Sequence, residues 1–467
     1  MNNTRFFWCV LTAALLSGTL AAVAEEGGTP AAAALRAGFA RLDITPPVGA
    51  EMPGGYGKHI STGVRDPLWV EAAWFSDGKT ETALVGVDLI MIPREVILDT
   101  RKRVEAGCGT PGAHVMIGAS HTHNGGPVVD CFGSASDPEY CRFAAEKMAE
   151  AVIQAKNKAV PCRLAWGSGH EDTAGFNRRF HMKDGRVITH PGKMNPDIVD
   201  VAGPTDPEVA VISAEGLDGK ILGCVVNFAM HGTTMGGDEF SADWPCYLRQ
   251  TVRGGMNAPE MGVVFLNGAC GDVTQVDNRS PRTPEWGEGV ARRVGMCAGA
   301  EALKVLSRAA YQESALLAVE YELLQLPIRE LPDSDEELIA REAPPIGLGS
   351  GSHEMFTKEA RFVREMRAKS PTVEVEVQAV RVGDAAIVSN TTEFFAALGL
   401  AIKKDSPFRP TMVVELANGY NGYCPTADAF KGGGYEPRTA RSSYLAPGSG
   451  EKIVDASAGL LRRVAEK

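Results

Sequence analysis

Four polar segments of this sequence each follow directly after an apolar run that is typical of a buried β-strand. The clearest is Ser120-His121-Thr122-His123, which follows Val115-Met116-Ile117 and precedes glycines and a proline. The other three begin at Met230, Asn267 and Asn390. In open α/β sheets, ligands bind at the carboxyl ends of the strands. The pattern therefore predicts one polar site at the edge of a sheet, where the four segments meet.

Strand and helix patterns alternate from Phe39 onward, which predicts an α/β fold with flanking helices around a β-sheet core. A β-hairpin signal at Gly383-Asp384 makes this sheet mixed rather than purely parallel. No repeat or long linker interrupts the alternation, so we expect a single large catalytic domain over residues 36–467. Helices are expected to open at Asp137-Pro138, Asp243-Trp244, Thr283-Pro284 and Glu393, and to cover Asp333–Arg341 and Ser352–Lys369 on either side of a hinge at Ala343–Ser350.

The polar segments carry residue types that bind metal ions. Because side chains alternate across an extended chain, His121 and His123 point to the same side. Three nitrogen or oxygen ligands plus an open position form the usual catalytic zinc site. Simpler interpretations stay open for each residue. The His121–His123 pair could lie on a solvated face, His231 could be a satisfied core histidine, and the tyrosines of Asn418–Tyr435 could be ordinary loop aromatics. Glu393 could be a carboxylate at a helix N-terminus, where the macrodipole favours it.

The first residues are typical of an export signal. Arg5 gives a positive start, Phe6 to Leu20 is apolar, and Ala22-Val23-Ala24 is a small-residue cleavage site, so we expect a signal peptide at 1–24. This apolar core is too short for a membrane anchor, and no later run reaches about 18 apolar residues. We therefore expect a flexible leader at 25–35 and a secreted or periplasmic protein without a transmembrane segment.

Charge and cysteine content limit the classes of binding partner and the disulfides that we expect. The net charge of -11, without a Lys/Arg-rich run, argues against nucleic acid and anionic membranes as main partners. Nine of the ten cysteines follow the signal segment, and this odd number leaves at least one thiol free. Cys131 and Cys141 flank a loop and are the best candidates for a disulfide. The sequence contains no C-x-x-C pattern, so we do not expect a structural zinc knuckle. The oligomeric state stays open.

A series of short motifs runs in order through residues 36–460: Gly38–Pro47, Gly55-Tyr56, Ser120–Gly125, Asn177-Arg178, Ala229–Met235, Gly271-Asp272-Val273, Asn418–Tyr423 and Gly434-Tyr435-Glu436. Together they resemble the catalytic domain of the neutral/alkaline, non-lysosomal ceramidases, which act on the N-acyl bond of a sphingolipid. The resemblance implies an exported zinc-dependent amidohydrolase that uses zinc-activated water on a small-molecule or lipid substrate, with transient contact to a membrane surface.

The resemblance also implies roles for individual residues. His121, His231, Glu393 and Tyr423 match the family's zinc ligands. His123, Arg178 and Tyr435 match residues that contact the substrate carbonyl or transfer protons. The match of Glu393 is the least specific, because Thr391-Thr392-Glu393-Phe394 lacks most of the family's surrounding motif.

Two departures from the family pattern leave the substrate open. Thr274 stands where the ceramidases have a serine, and Gln275 replaces the proline that follows. We also expect no counterpart of the family's C-terminal β-sandwich domain. The alternatives are a metal-dependent hydrolase of another ester, lipid or glycan derivative, and a non-catalytic binding protein that retains the scaffold.

Overall fold

The computed structural model describes residues 35–335, 337–338 and 352–467, without the side chains of residues 352 and 353. The expected signal peptide at 1–24, the leader up to residue 34 and the hinge at 343–350 lie outside the described residues, as do residues 336 and 339–341 of the expected helix at 333–341. The described residues from 35 onward belong to one compact unit.

An eight-stranded mixed sheet forms the largest part of the fold and confirms the expected α/β class. Its strands are β1 Arg36–Asp43, β2 Trp69–Ser76, β3 Glu81–Val87, β4 Val115–Ala119, β5 Val160–His170, β6 Glu208–Gly216, β7 Ile221–Phe228 and β8 Gly262–Asn267. Their order across the sheet is β8-β7-β6-β5-β1-β2-β3-β4. The two end pairs, β3 with β4 and β7 with β8, are parallel, and the other neighbours are antiparallel.

A second sheet of four strands contains the expected hairpin. Its strands, in spatial order, are β9 Leu317–Pro327, β10 Thr372–Val382, β11 Ala385–Asn390 and β12 Thr411–Val414. β10 and β11 are joined at Gly383, which has a φ of 62° that favours glycine. β11 and β12 are parallel. This second sheet is therefore mixed, because the hairpin is antiparallel and the next pair is parallel. The main sheet is also mixed, but the hairpin is not part of it.

Eight helices in the described part of the chain cover the outer faces of the sheets. They are α1 Arg94–Cys108, α2 Pro138–Asn157, α3 Trp244–Gly255, α4 Glu288–Leu306, α5 Ser352–Lys369, α6 Ala396–Asp405, α7 Ala429–Gly432 and α8 Ser449–Ala465. α1 and α2 cover the β1–β4 half, α3 and α4 cover the β6–β8 half, and α6 and α8 cover the second sheet. A central core joins the inner faces of both sheets, so most strands are buried on both sides and read as continuous apolar runs.

Two glycines allow strands to approach closely near the site. A Cβ on Gly86 in β3 would overlap the carbonyl oxygen of Phe265 in β8. A Cβ on Gly118 in β4 would lie 3.3 Å from side-chain atoms of both Leu266 and Val414. The carboxyl ends of the parallel pairs β3–β4, β7–β8 and β11–β12 therefore lie close together.

Two expected helix starts are wrong. α4 begins at Glu288 with Gly287 as its N-cap, so Thr283-Pro284 lies before the helix. Glu393 does not open α6, which begins at Ala396. Instead, Glu393–Phe394 forms a short parallel bridge with Tyr423–Cys424. The backbone N–H of Phe394 bonds to Glu415 Oε2 at 2.8 Å, which holds this segment outside the helix.

We expect Gly86→Ala to lower the free energy of unfolding by about 1–3 kcal/mol, because the added methyl forces β3 and β8 apart in a close-packed core. Urea unfolding measures the change. Gly254→Ala in α3 is the control, since no atom lies within 4 Å of its Cβ position and alanine favours a helix. An equal midpoint for Gly86→Ala and the unchanged chain would contradict the close approach.

Candidate metal centre

The His121–His123 segment begins where β4 ends and turns sharply. His121 has a φ of 64°, in the left-handed region that non-glycine residues rarely adopt. Such backbone strain persists only where the surroundings impose it, and it is concentrated at functional sites. The N–H of His123 donates to Gly232 O at 3.0 Å, and Thr122 forms a parallel bridge with Gly232. These contacts hold the segment beside His231, which follows β7.

The three histidine rings are oriented by backbone carbonyls. The Nδ1–H groups of His121, His123 and His231 donate to Ile90 O at 2.8 Å, Gly54 O at 2.8 Å and Cys270 O at 2.7 Å, respectively. A carbonyl oxygen only accepts, so each Nδ1 carries the proton and each Nε2 keeps a lone pair. Histidines that bind metal ions are commonly held in this way.

The Nε2 atoms face one another in a buried space. Ligand atoms of His121, His123 and His231 all lie within 4.8 Å of one another. Within the described residues, the Nε2 atoms of His121 and His123 and the Oε2 atom of Glu393 are buried without a hydrogen-bond partner. Buried polar atoms are normally paired, so this cluster is suited to bind a cation. The three histidines could hold a metal ion.

Glu393 and Tyr423 lie beside the histidines because the short parallel bridge joins them. Glu393 Oε2 is 3.5 Å from His121 Nε2 and 3.6 Å from His231 Nε2. Two ligands at tetrahedral positions around zinc lie about 3.3 Å apart, given bonds of about 2.0–2.1 Å. Tyr423 Oη lies 3.5 Å from His231 Nε2. Two possible ligand sets thus share His121 and His231, one completed by His123 and the other by Glu393 and Tyr423.

Arg178 forms the wall of the site next to Tyr423. Its Nε–H donates to Glu436 Oε1 at 2.8 Å, and its Nη2–H donates to Gly271 O at 2.8 Å and to Tyr423 Oη at 3.0 Å. Tyr435 packs edge-on against Tyr423, with ring centroids 5.7 Å apart. Glu436 is fully buried, and its carboxylate fixes the arginine so that Nη1 remains free of hydrogen bonds to the described residues.

Burial lowers the pKa of two of the histidines, His123 and His231, and so keeps their rings neutral. Desolvation, together with the repulsion of His121, lowers the pKa of His123 to about 3. Desolvation, with Arg178 nearby, also lowers the pKa of His231 well below its usual value. Desolvation opposes ionisation of Glu393, but hydrogen bonds and charge from His121 and His231 outweigh it and keep the pKa of that carboxyl low. At neutral pH His123 and His231 are therefore neutral imidazoles and Glu393 is a carboxylate, the forms that bind cations. Desolvation opposes ionisation of His121 as well, but the hydrogen bond and the charge of Glu393 outweigh it and raise the pKa of that ring.

Comparisons with known proteins show a relationship to one enzyme family. No protein-family model matches the chain. The neutral ceramidase of Pseudomonas aeruginosa is 28% identical over 251 residues, which cover 50% of this chain. The chain is related to neutral ceramidase. This confirms the resemblance, although the match spans only 35% of the length of that curated relative.

Solved ceramidase structures share the fold over nearly the whole chain. A ceramidase complexed with C2 superposes with a TM-score of 0.70 and 19% identity, covering 93% of this chain and 75% of that chain. The neutral ceramidase from P. aeruginosa gives a TM-score of 0.69 and 19% identity, covering 92% and 75%. In the described part of the chain, every helix is too short or too polar to cross a membrane.

All seven residues matched to neutral ceramidase motifs come from distant parts of the chain and lie together in the structure. Glu436 lies within the motif Gly434-Tyr435-Glu436, but no sequence pattern predicted a role for it. Glu415, a carboxylate directly after the apolar strand β12, was not predicted either. A single charged residue at the end of a buried strand was the available signal for Glu415.

The Thr274 hydroxyl bonds within its own loop, and none of the described cysteines forms a disulfide. The hydroxyl oxygen of Thr274 accepts a hydrogen bond from Val276 N at 3.3 Å. All nine described cysteines are free, so the Cys131–Cys141 disulfide is wrong for this structure. The Cys141 thiol lies on helix α2 and donates to Val128 O at 3.5 Å instead.

A cavity of about 1210 Å³ adjoins the metal centre. Arg178, Tyr435 and Tyr56 line the end next to the histidines. Apolar side chains such as Ile188 and Trp286 line it further out. The cavity is large enough for a drug-sized amphiphilic molecule, whose polar part would lie next to Arg178.

Proposed function

We propose that this protein is a zinc-dependent hydrolase of amide (N-acyl) bonds. The observation that carries the proposal is the buried group of imidazole Nε2 atoms and Glu393 Oε2 without hydrogen-bond partners among the described residues. An apolar core would not retain such atoms unpaired, because burying an unpaired polar group costs about 1–3 kcal/mol.

Zinc fits the donor set best. His121, His231, Glu393 and Tyr423 are the proposed ligands, because the distances of 3.5 and 3.6 Å from Glu393 Oε2 to the two histidines suit tetrahedral coordination. Nitrogen and oxygen donors together suit zinc better than magnesium or calcium, which prefer oxygen alone. When bound, the ion acts as a Lewis acid and lowers the pKa of a coordinated water toward neutral.

The surrounding residues have separate tasks in this proposal. His123 is neutral and its Nε2 carries a lone pair, so it takes a proton from the attacking water and returns it to the leaving amine. Arg178 offers its Nη1–H groups, and Tyr435 its hydroxyl, to the carbonyl oxygen as negative charge develops there. Glu436 holds Arg178 in place, so this donor is oriented before the substrate binds.

The substrate proposed is a small molecule or lipid with an N-acyl group. The cavity beside Arg178 combines apolar side chains with polar groups close to the site, as an acyl compound requires. The relationship to neutral ceramidase supports the amide bond, and the structure of a ceramidase complexed with C2 supports binding in this fold. The signal-like sequence at 1–24 supports export of the protein.

Metal content and hydrolysis measured on the same protein test the proposal. We expect about one zinc per chain and release of free amine from at least one member of a panel of N-acyl substrates. A chelator should stop the reaction, and added zinc should restore it. Matched esters form a second panel, and cleavage of esters alone would favour the alternative hydrolase. A protein without stoichiometric zinc and without turnover would favour a binding role.

We expect Thr274→Ala to keep most of the activity, because the hydroxyl bonds to Val276 N and zinc-activated water needs no side-chain nucleophile. Rate measurements with and without chelator check this. Thr274→Ser is the matched control, since it restores the residue of the ceramidases. An acyl-enzyme trapped on Thr274 with labelled substrate would contradict the water mechanism.

A further inference from the structure

Glu415 lies directly behind the metal centre, in the core rather than in the cavity. It follows β12, is fully buried, and its backbone N–H donates to Asn267 O at 3.1 Å. β12 is parallel to β11, whose carboxyl end leads to Glu393. Glu415 therefore reaches two loops that meet at the site.

The carboxylate of Glu415 accepts three hydrogen bonds from these two loops. Oε2 accepts from the backbone N–H groups of Cys270 at 2.9 Å and Phe394 at 2.8 Å. Oε1 accepts from the thiol of Cys270 at 2.9 Å. A single oxygen atom thus joins the loop after β8 to the segment that carries Glu393.

Each of these loops supports a different part of the site. The carbonyl of Cys270 accepts the Nδ1–H of His231, and the carbonyl of the next residue, Gly271, accepts an Nη2–H of Arg178. Phe394 follows Glu393 directly, and its carbonyl accepts the backbone N–H of Gly271 at 2.9 Å. Movement of the Glu415 carboxylate would therefore disturb His231, Glu393 and Arg178 together.

We propose that Glu415 is a positioning residue that sets the separation between His231 and Glu393, and thereby the metal affinity of the site. This inference rests on the proposed metal-dependent function, but its test is metal binding rather than turnover. Glu415 touches neither the substrate nor the metal. It holds the backbone segment that carries Glu393. It also holds Cys270, whose carbonyl accepts the hydrogen bond from His231.

The side chain at position 415 can be varied so that its reach and its carboxyl group change separately. Glu415→Asp keeps the carboxyl group but is one methylene shorter, so it cannot hold both backbone N–H groups at these distances. Glu415→Gln keeps the length and an oxygen acceptor for the two N–H groups, and its amide can donate to the Cys270 sulfur. We expect the aspartate variant to bind Zn²⁺ roughly 10–100-fold more weakly, as loss of such supporting contacts usually does, and the glutamine variant to bind nearly normally.

Competition with a chromophoric chelator gives the affinity, and the visible spectrum of the Co²⁺-loaded protein reports the ligand geometry. The aspartate variant should show an altered Co²⁺ spectrum and the glutamine variant an unchanged one. Glu71→Gln is the control for the loss of a buried carboxylate, since Glu71 also accepts a backbone N–H, from Val263, but at the opposite end of β8. This control should lower thermal stability without changing the spectrum.

The results separate positioning from general stability and from catalysis. Normal Zn²⁺ affinity and a normal Co²⁺ spectrum in Glu415→Asp would overturn the inference, even if the protein were less stable. If no N-acyl substrate were hydrolysed while the affinities followed this pattern, the proposed reaction would fail and the role of Glu415 would stand.

Discussion

His231→Ala should lose most of the bound metal and, with it, hydrolysis. The imidazole is held by Cys270 O, and its Nε2 lies 3.6 Å from Glu393 Oε2, so the substitution removes one of the proposed donors. His121→Ala should behave in the same way, because its Nε2 lies 3.5 Å from the same oxygen atom of Glu393. Elemental analysis of protein purified without chelator measures the loss.

The control for these substitutions is His114→Ala. The His114 ring also bonds through Nδ1 to a backbone carbonyl, Glu81 O at 2.8 Å, but it lies in the 3₁₀ turn before β4. We expect this variant to keep its metal. Full zinc occupancy in His231→Ala would remove that residue from the ligand set, whatever the activity of the variant.

His123→Ala should keep the metal but lower kcat roughly 10²–10⁴-fold, the usual size of a lost general acid–base contribution. Four donors remain without this ring: the two other histidines, Glu393 and Tyr423. Since burial lowers the pKa of His123 to about 3, the ring is neutral at pH 7 and able to accept a proton. Its protonation should therefore not limit the rate between pH 5 and 8.

Zinc content and rate must be measured on the same preparation of His123→Ala. A variant with full zinc and a near-normal rate would make His123 an inert loop residue. A variant without zinc would make it a ligand, and the triad of His121, His123 and His231 would then replace the set that includes Tyr423. His114→Ala, outside the lining of the adjoining cavity, again controls for loss of an imidazole.

Much of the fold follows from local sequence patterns. Asp137-Pro138 predicted the start of α2, and in the structure the Asp137 side chain caps that helix as expected. The hairpin at Gly383 is also correct. The errors occur where tertiary contacts outweigh a local signal. Pro284 suits a first helical turn but lies before α4, and Glu393 is held in a short bridge by contacts from residues far along the chain.

The site was only partly accessible to sequence analysis. Strand ends and matched motifs predicted that His121, His231 and Arg178 belong to the site. They gave no distances between these residues. Glu415 and the carbonyl of Cys270 could not be assigned in the same way, because their roles depend on hydrogen bonds between backbone segments. A carbonyl group occurs at every position of a chain, so no residue type marks the one that orients a histidine.

The convergence of three parallel strand pairs links metal binding to the stability of the whole molecule. The candidate ligands follow β4, β7, β11 and β12, and so come from both sheets. An unfolded chain cannot bring them together, and an ion bound only by the folded state stabilises it by mass action. At a free concentration 100 times the dissociation constant, this gain is about 2.7 kcal/mol. Scarcity of the metal would then reduce the amount of folded protein as well as the activity of each molecule.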